Sequence, residues 1–440
     1  MSASQSDPAF PVDRDATPAD ADATVAHAAA LLSTATSSHD ALELAGRRIV
    51  VGLTGGIACY KAAELTRELV RRGAEVHVAM TEGATHFITP LTMQALSGRP
   101  VHLDQWRQDG NGMAHIDLSR GADAIVIAPA SADFMAKLAC GIADDLLLTL
   151  CLARNCKLLV APAMNREMWA KPATTRNVAQ LRDDGVEICG PGSGAQACGE
   201  VGDGRMLEAG QIADALCAAL RPKLLAGRHV VLTAGPTFEP LDPVRGLTNR
   251  SSGKMGFALA RAAADAGASV DLVAGPVALP TPWGVRRHDI ETASEMRAAV
   301  LSLVPHADVF IGVAAVCDWR AAEIATDKIK KSVDAAPPRL ALAENPDILA
   351  EVAARPDAPY CVGFAAESSD LLKLAAAKRV RKGVPLLVGN LGQQTFGRDD
   401  NEVVLFDADG PRALPRTGKA VLAHALIAEI ARRLPRRPPP

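Results

Sequence analysis

A chain of 440 residues with a formal net charge of −3 has room for two cores and no electrostatic reason to bind nucleic acid or an anionic membrane surface. Hydrophobic residues make up 48% and charged ones 22%, a globular balance, while aromatics at 3% leave the cores to Ala, Val, Leu and Ile. Nine cysteines with no CxxC pair and no zinc-type His/Cys spacing read as reduced thiols; with no signal-peptide start and no apolar run long enough for a bilayer, a cytoplasmic chain is expected.

Residues 1–45, rich in Ala, Asp, Ser and Thr, are expected to be a disordered extension. Residues 48–54 (RIVVGLT) form a predicted strand ending at Gly55-Gly56. A helical pattern follows over 57–72, with Leu65, Leu69 and Val70 on one face, and then a second strand over 75–80, making a βαβ unit. Buried-looking strands over 124–128 and 158–161 each end in Pro and small or polar residues. In an open parallel sheet the carboxyl ends of strands carry the ligand site, so these turns are where chemistry is sought.

Near Arg221-Pro222 the pattern restarts: a strand over 229–233, a helix over 255–266 and a strand over 269–274. Further strands are predicted over 309–313, 361–364, 386–388 and 403–406, and a basic, Pro-rich tail over 432–440 is expected to be disordered. The fold class is therefore α/β, two doubly wound (Rossmann-like) domains, with boundaries set at 46–220 and 228–433.

In the first half, Thr54-Gly55-Gly56-Ile57 sits where a strand becomes a helix, so its amides could cradle one phosphate, although a tight turn without ligand explains it as well. The spacing is not GxGxxG. Pro129-Ala130-Ser131-Ala132-Asp133 also reads as a helix cap through Ser131 or Asp133, and Asn165 after Pro162-Ala163-Met164 as a turn residue. Many glycines around Cys198 suggest a mobile flap. Taken in order, GGIACYK, AMTEGATHFITPLTMQALSG, HIDL, PASADFMAKLACGIADDLL, PAMN and ACGEVGDGRM resemble the flavin-dependent cysteine decarboxylases, specifically the phosphopantothenoylcysteine decarboxylases.

That resemblance implies a flavodoxin-like domain holding FMN at Gly55, Gly56, Ile57, Thr81 and Ser131, with His115, Asn165 and Cys198 as catalytic residues. The chemistry needs such groups. Loss of CO2 from an ordinary acylated cysteine would leave an unstabilised carbanion, whereas oxidation of the carbon bearing sulfur gives a thioaldehyde that accepts the electron pair. The resemblance gives His115 the oxidative step, Asn165 the departing carboxylate and Cys198 the final proton.

In the second half, Thr233-Ala234-Gly235-Pro236-Thr237 leads to Thr248-Asn249-Arg250-Ser251-Ser252-Gly253-Lys254, whose helix entry could hold phosphate but is not a Walker A loop. Asp318 and the lysines of Lys328-Ile329-Lys330-Lys331 could hold Mg2+ and a triphosphate, or form a solvated basic loop. Lys378 and Lys382 share a helix face. TAGPTFEPLDPVR, NRSSGKMG, AAVCDWR, KIKK, ENPDI and VGFAAE, in order, resemble the phosphopantothenate–cysteine ligases, which in bacteria follow the decarboxylase in one chain. Arg250 stands where that family usually has His, and Trp319 where it has Tyr. The resemblance implies CTP bound at Gly312, Val313, Ala314, Asp318, Lys328, Asn345, Pro346, Asp347, Ile348, Phe364, Lys378 and Lys382, with Mg2+ at Asp318. Lys328 would stabilise charge at the phosphates and Asn249 assist breakdown of an acyl-cytidylate made from 4'-phosphopantothenate, before cysteine displaces CMP. The family also implies a homo-oligomer, a dodecamer among the options. An NAD oxidoreductase would need the missing GxGxxG, and a flavin-binding regulatory subunit would not need a complete ligase half.

Overall fold

The computed structural model describes residues 42–104, 114–330, 339–367, 370–391 and 397–435, so the disorder expected of residues 1–41 and 436–440 lies outside the described chain. Order begins earlier than expected, since Leu44 is buried and its N–H donates to Arg72 O at 2.9 Å. Arg432 and Arg433, assigned to a disordered tail, close the helix Lys419–Arg433. The chain divides into two compact units, one of residues 41–226 with 264–268, the other of 227–263 and the residues from 269 onward.

The first unit is built on six parallel strands: β1 (Arg48–Leu53), β2 (Glu75–Met80), β3 (Val101–His102), β4 (Ala124–Ala130), β5 (Lys157–Pro162) and β6 (Glu187–Ile188), in the order β3-β2-β1-β4-β5-β6. The central strands are continuous apolar runs because both faces are covered. Ile49, Val51 and Leu53 join one core with Leu65 and Leu69, while Val50 joins another with Ile125, Ile127 and Leu147. The first helix is Cys59–Arg71, two residues shorter at its start than expected. Val70 is 40% exposed: at 3.6 residues per turn it lies about 140° round from Leu65, outside the buried stripe of Ala62, Leu65, Thr66 and Leu69. The glycine-rich stretch expected to be a flap is an antiparallel hairpin of β7 (Gly192–Ala195) and β8 (Val201–Arg205).

The second unit carries β9 (His229–Ala234), β10 (Phe238–Pro240), β11 (Gly246–Thr248), β12 (Ser269–Ala274), β13 (Val285–Asp289), β14 (Val309–Gly312), β15 (Trp319–Ala321), β16 (Leu342–Glu344), β17 (Tyr360–Glu367), β18 (Leu386–Leu391), β19 (Asp400–Asp407) and β20 (Gly410–Gly418). Its main sheet runs β13-β12-β9-β14-β17-β18-β19-β20, parallel through β18 and antiparallel for the last two pairings. Strands β10 with β11 and β15 with β16 form two small antiparallel ribbons. In both main sheets the order reverses beside the first strand, at β1/β4 and β9/β14, the switch point where an open α/β sheet leaves a crevice.

One buried carboxylate fastens the edge of the second sheet. Asp271, 1% exposed on β12, accepts hydrogen bonds at 2.7 Å from Nε2 of both His229 and His288, with Arg286 Nη1 at 3.3 Å. Burial works against its ionisation, but the bonds from His288 and His229 and the charge of Arg286 outweigh it and hold the carboxyl below the usual range. A depressed carboxyl contributes stability that is complete above its unfolded value, about 3.9, and is lost as pH falls through the folded one. Acid unfolding of the second unit should therefore steepen below about pH 4, and Asp271→Asn should flatten that limb while costing about 1–3 kcal/mol at neutral pH. Chemical denaturation of wild type and variant across pH 3 to 7 checks both.

Candidate active sites

At the carboxyl edge of the first sheet, consecutive loops are fastened to one another. Gly55 lies against the backbone of Gly83, so closely that a Cβ there would stand 3.2 Å from it, which joins the β1 and β2 loops. Thr54 Oγ1 donates to Pro129 O at 2.7 Å and accepts from Ser131 N–H at 2.9 Å, joining β1 to β4. Ala163 N–H donates to Ala130 O at 3.0 Å and Met164 N–H to Gly204 O at 2.9 Å, carrying the chain of contacts through the β5 loop to the hairpin. Gly204 has φ +125°, and a Cβ would meet Met164 O at 2.4 Å, so no other residue permits that approach.

These contacts gather the residues singled out in the sequence. Thr81 caps a short helix through Ala84 N–H and Ser131 caps Ala132–Ala139 through Phe134 N–H, so both hydroxyls have structural work. Helix Cys59–Arg71, by contrast, has no side-chain cap at Ala58; its Cys59 and Lys61 N–H groups donate to Gly56 O and Ala58 O, and its positive end after Gly55-Gly56-Ile57 suits an anion. Asn165 caps the turn Arg166–Trp169 through its Oδ1, and its Nδ2 reaches Glu200 Oε2 at 2.5 Å and Cys198 Sγ at 3.4 Å. Two residues 33 apart in sequence thus meet, with Cys198 exposed on the hairpin turn. His115 is the second residue of helix Ala114–Arg120; its side chain lies outside the described ones.

In the second unit a cavity of about 500 Å³ opens at the ends of β9, β14 and β17. Asn249, Gly312, Val313, Ala314, Asp318, Phe364, Lys378, Lys382 and the turn Asn345-Pro346-Asp347-Ile348 all line it. Arg250, Lys254, Lys378, Lys382 and Lys419 set five cations against Asp318 and Asp347, a balance suited to a polyanion. Lys382 pairs with Asp347 at 2.9 Å and Lys378 with Glu367 at 3.4 Å. The Asp347 carboxyl is held low despite burial, by Lys382 and the Ala350 N–H. Asn249 Nδ2 donates to Ala315 O at 3.0 Å.

Lys328 is not among the described residues lining the cavity; it is exposed in the segment after β15. Its neighbour Ile329 is clamped at both ends, its N–H donating to buried Asp242 at 3.1 Å and its carbonyl accepting from Arg245 at 2.7 Å. Lys331 lies outside the described residues. Among the described residues no group of three or more His, Cys, Asp or Glu side chains could hold a metal ion; the cavity's carboxylates are Asp318 and Asp347, and Asp347 is paired with Lys382. A single carboxylate suits Mg2+ carried on a nucleotide's own phosphates. Asn390, Asn401 and Lys419 also line the cavity and went unrecognised in the sequence, because they come from strands β18 and β19 and the last helix rather than from a glycine-marked turn.

Residues 37–221 match the family model described as Flavoprotein, and residues 225–434 the one described as DNA/pantothenate metabolism flavoprotein C-terminal domain. A protein of Vibrio vulnificus (strain CMCP6) named Coenzyme A biosynthesis bifunctional protein CoaBC is 48% identical over 395 residues, 88% of this chain and 98% of that one. The protein of that name from Escherichia coli (strain K12) is 48% identical over 401 residues, 89% and 98% of the two chains. Its counterpart from Bacillus subtilis (strain 168) is 42% identical over 397 residues, 88% and 97%. The chain belongs to the bifunctional CoaBC family. It is thus a two-part enzyme of coenzyme A biosynthesis, a flavoprotein unit followed by a second unit.

The thiols test the geometry of this family member directly. Cys198 and Cys140 are exposed, Cys156 is half-buried and the other six are buried. Burial pushes Cys151 and Cys189 up to about 12 and Cys361 to about 11, so these remain unreactive thiols at neutral pH. Brief treatment of the folded chain with iodoacetamide should label Cys198 and Cys140, with Cys156 slower, and denaturant should raise the total to nine, read by peptide mass spectrometry. Fast labelling of Cys189 or Cys361 would contradict the fold.

Proposed function

We propose that the second unit joins cysteine to 4'-phosphopantothenate at the expense of CTP, and that the first decarboxylates the resulting 4'-phosphopantothenoylcysteine to 4'-phosphopantetheine with FMN. The observation that carries the reading is the pairing of Asn165 with Cys198 in a unit that also offers an uncapped helix start, in the same chain as a cavity of net positive lining. The decarboxylase unit is assigned to about 46–220 and the ligase unit to about 228–433. The protein acts in the cytoplasm as a homo-oligomer, in keeping with the exposed apolar side chains Ile57, Tyr60, Phe87 and Leu91 on the first unit. No helix among the described residues is long and apolar enough to cross a membrane.

In the ligase reaction the carboxylate of 4'-phosphopantothenate attacks the α-phosphate of CTP, and pyrophosphate leaves. Lys328 and the cavity lysines Lys378 and Lys382 stabilise the phosphate charge, and Asp318 would be the protein's ligand to a Mg2+ that arrives with the nucleotide and would neutralise charge there. Asn249, beside Ala315 on the cavity wall, orients the acyl-cytidylate for attack by cysteine's amine, which expels CMP. In the decarboxylation, Gly55, Gly56, Ile57, Thr81 and Ser131 would hold FMN, which would supply reversible hydride chemistry at the carbon bearing sulfur. His115 acts in the oxidation, Asn165 hydrogen-bonds the departing carboxylate through its amide N–H groups, and Cys198 gives its proton to carbon in the final step.

Each assignment divides a reaction in two. Lys328→Gln should slow pyrophosphate release roughly 100-fold, as loss of one charge-stabilising donor does. Asn249→Asp should instead release pyrophosphate while product formation stalls; equal losses in both steps for both variants would refute the division. Cys198→Ser should still release CO2 from 4'-phosphopantothenoylcysteine under anaerobic conditions, with flavin absorbance bleaching and not recovering. His115→Asn should give neither bleaching nor CO2. Normal 4'-phosphopantetheine production by Cys198→Ser would overturn Cys198 as the acid.

A further inference from the structure

The turn Asn345-Pro346-Asp347-Ile348 forms one wall of the ligase cavity, and its hydrogen bonds can be accounted for group by group. Asn345 N–H donates to Asp318 O at 2.8 Å, its Nδ2 donates to Cys317 O at 2.9 Å, and its Oδ1 accepts from Arg320 Nη1 at 3.0 Å. The same Arg320 nitrogen donates to Glu344 O. The Asn345 side chain is therefore engaged by protein at both ends, with an orientation fixed by a carbonyl on one side and a guanidinium on the other. It braces the wall that it also lines.

Arg320 acts from behind that wall. It does not line the cavity; it lines a second groove with Arg297 and Glu351, and Pro346 faces both, so the wall there is one residue thick. The strands it joins, β15 and β16, pair with Trp319 opposite Glu344, which sets the spacing between Asp318 and the turn. Beyond the brace, Asp347 caps helix Ile348–Ala353 through Ala350 N–H and holds Lys382, so a shift of the turn moves a cavity lysine with it.

We infer that Arg320 is a positioning residue for the nucleotide: through Asn345 it fixes the wall formed by Asp318 and residues 345–348 without touching the ligand. The inference rests on the CTP-dependent ligation proposed above. The test uses the full chain and follows pyrophosphate release at varied CTP, with 4'-phosphopantothenate and cysteine saturating. Arg320→Met keeps the apolar stem and should raise KM for CTP roughly tenfold, the effect of one lost charged hydrogen bond, with kcat changed by less than about threefold. Arg320→Lys, which can reach one of the two acceptors, should fall between, and it carries the test should Arg320→Met not fold. KM for cysteine and the decarboxylation of supplied 4'-phosphopantothenoylcysteine should be unchanged.

A lowered melting temperature with KM for CTP unchanged would reduce Arg320 to a merely structural residue and overturn the inference. So would equal increases in KM for CTP and cysteine. A wild-type chain that releases no pyrophosphate from CTP overturns the functional reading itself, which is a different failure from an unaltered KM in the variants.

Discussion

In each unit a buried threonine hydroxyl ties the first strand to its neighbour across the switch point, and both sites are assembled on that tie. At a switch point the connections leave toward opposite faces, so the strand ends diverge and their backbone groups lose ladder partners. A buried N–H left without an acceptor costs about 1–3 kcal/mol. Thr54 Oγ1 accepts from Ser131 and donates to Pro129, while Thr233 Oγ1 accepts from Val313 and Ala314 at 3.2 Å each, and both threonines are 2% exposed. Each hydroxyl takes the place of the missing ladder bond. The first thereby places the capping Ser131; the second places two residues of the cavity wall.

From this shared device the units diverge in what they build outward. The first extends sideways, loop to loop, until a hairpin carries Cys198 to Asn165, so an exposed thiol sits at the hairpin turn while its partner stays on the sheet edge. The second encloses. Its strands β18 and β19 and its last helix bring Asn390, Asn401 and Lys419 to the same cavity as the lysines of helix Leu371–Lys382. Burial, then the nearby Lys254, lower the pKa of Lys419, and together they outweigh the opposing charges of Asp399 and Asp400.

The parallel strands were legible because burial on both faces writes them as short apolar runs ended by Gly or Pro, and β2 and β12 have the expected limits. Strand β20 was not legible: Pro411 and Pro415 interrupt it, tolerated because it is the edge strand of its sheet. Hairpin β7–β8 was hidden by its glycines, which read as looseness although Gly204 is fixed by the backbone of Met164. Val70 was misassigned because a pattern of apolar residues marks a face only to within the width of a side chain. Motif positions proved to share one cavity because they lie at strand ends, whereas Lys328, exposed and away from the lining, is tied to the site only by family likeness. The threonine ties were on the page as letters, but a hydroxyl's partner across 75 or more residues is a property of topology.

The central claim is that one chain performs both reactions in sequence. Incubating the purified wild-type chain with 4'-phosphopantothenate, cysteine and CTP, and measuring 4'-phosphopantetheine, CMP, pyrophosphate and CO2 together, tests it most directly. The account predicts the four products in equal amounts and an FMN content that persists unchanged through many turnovers. Pyrophosphate without CO2, or CO2 only from supplied 4'-phosphopantothenoylcysteine, would contradict it by removing one of the two activities from the chain.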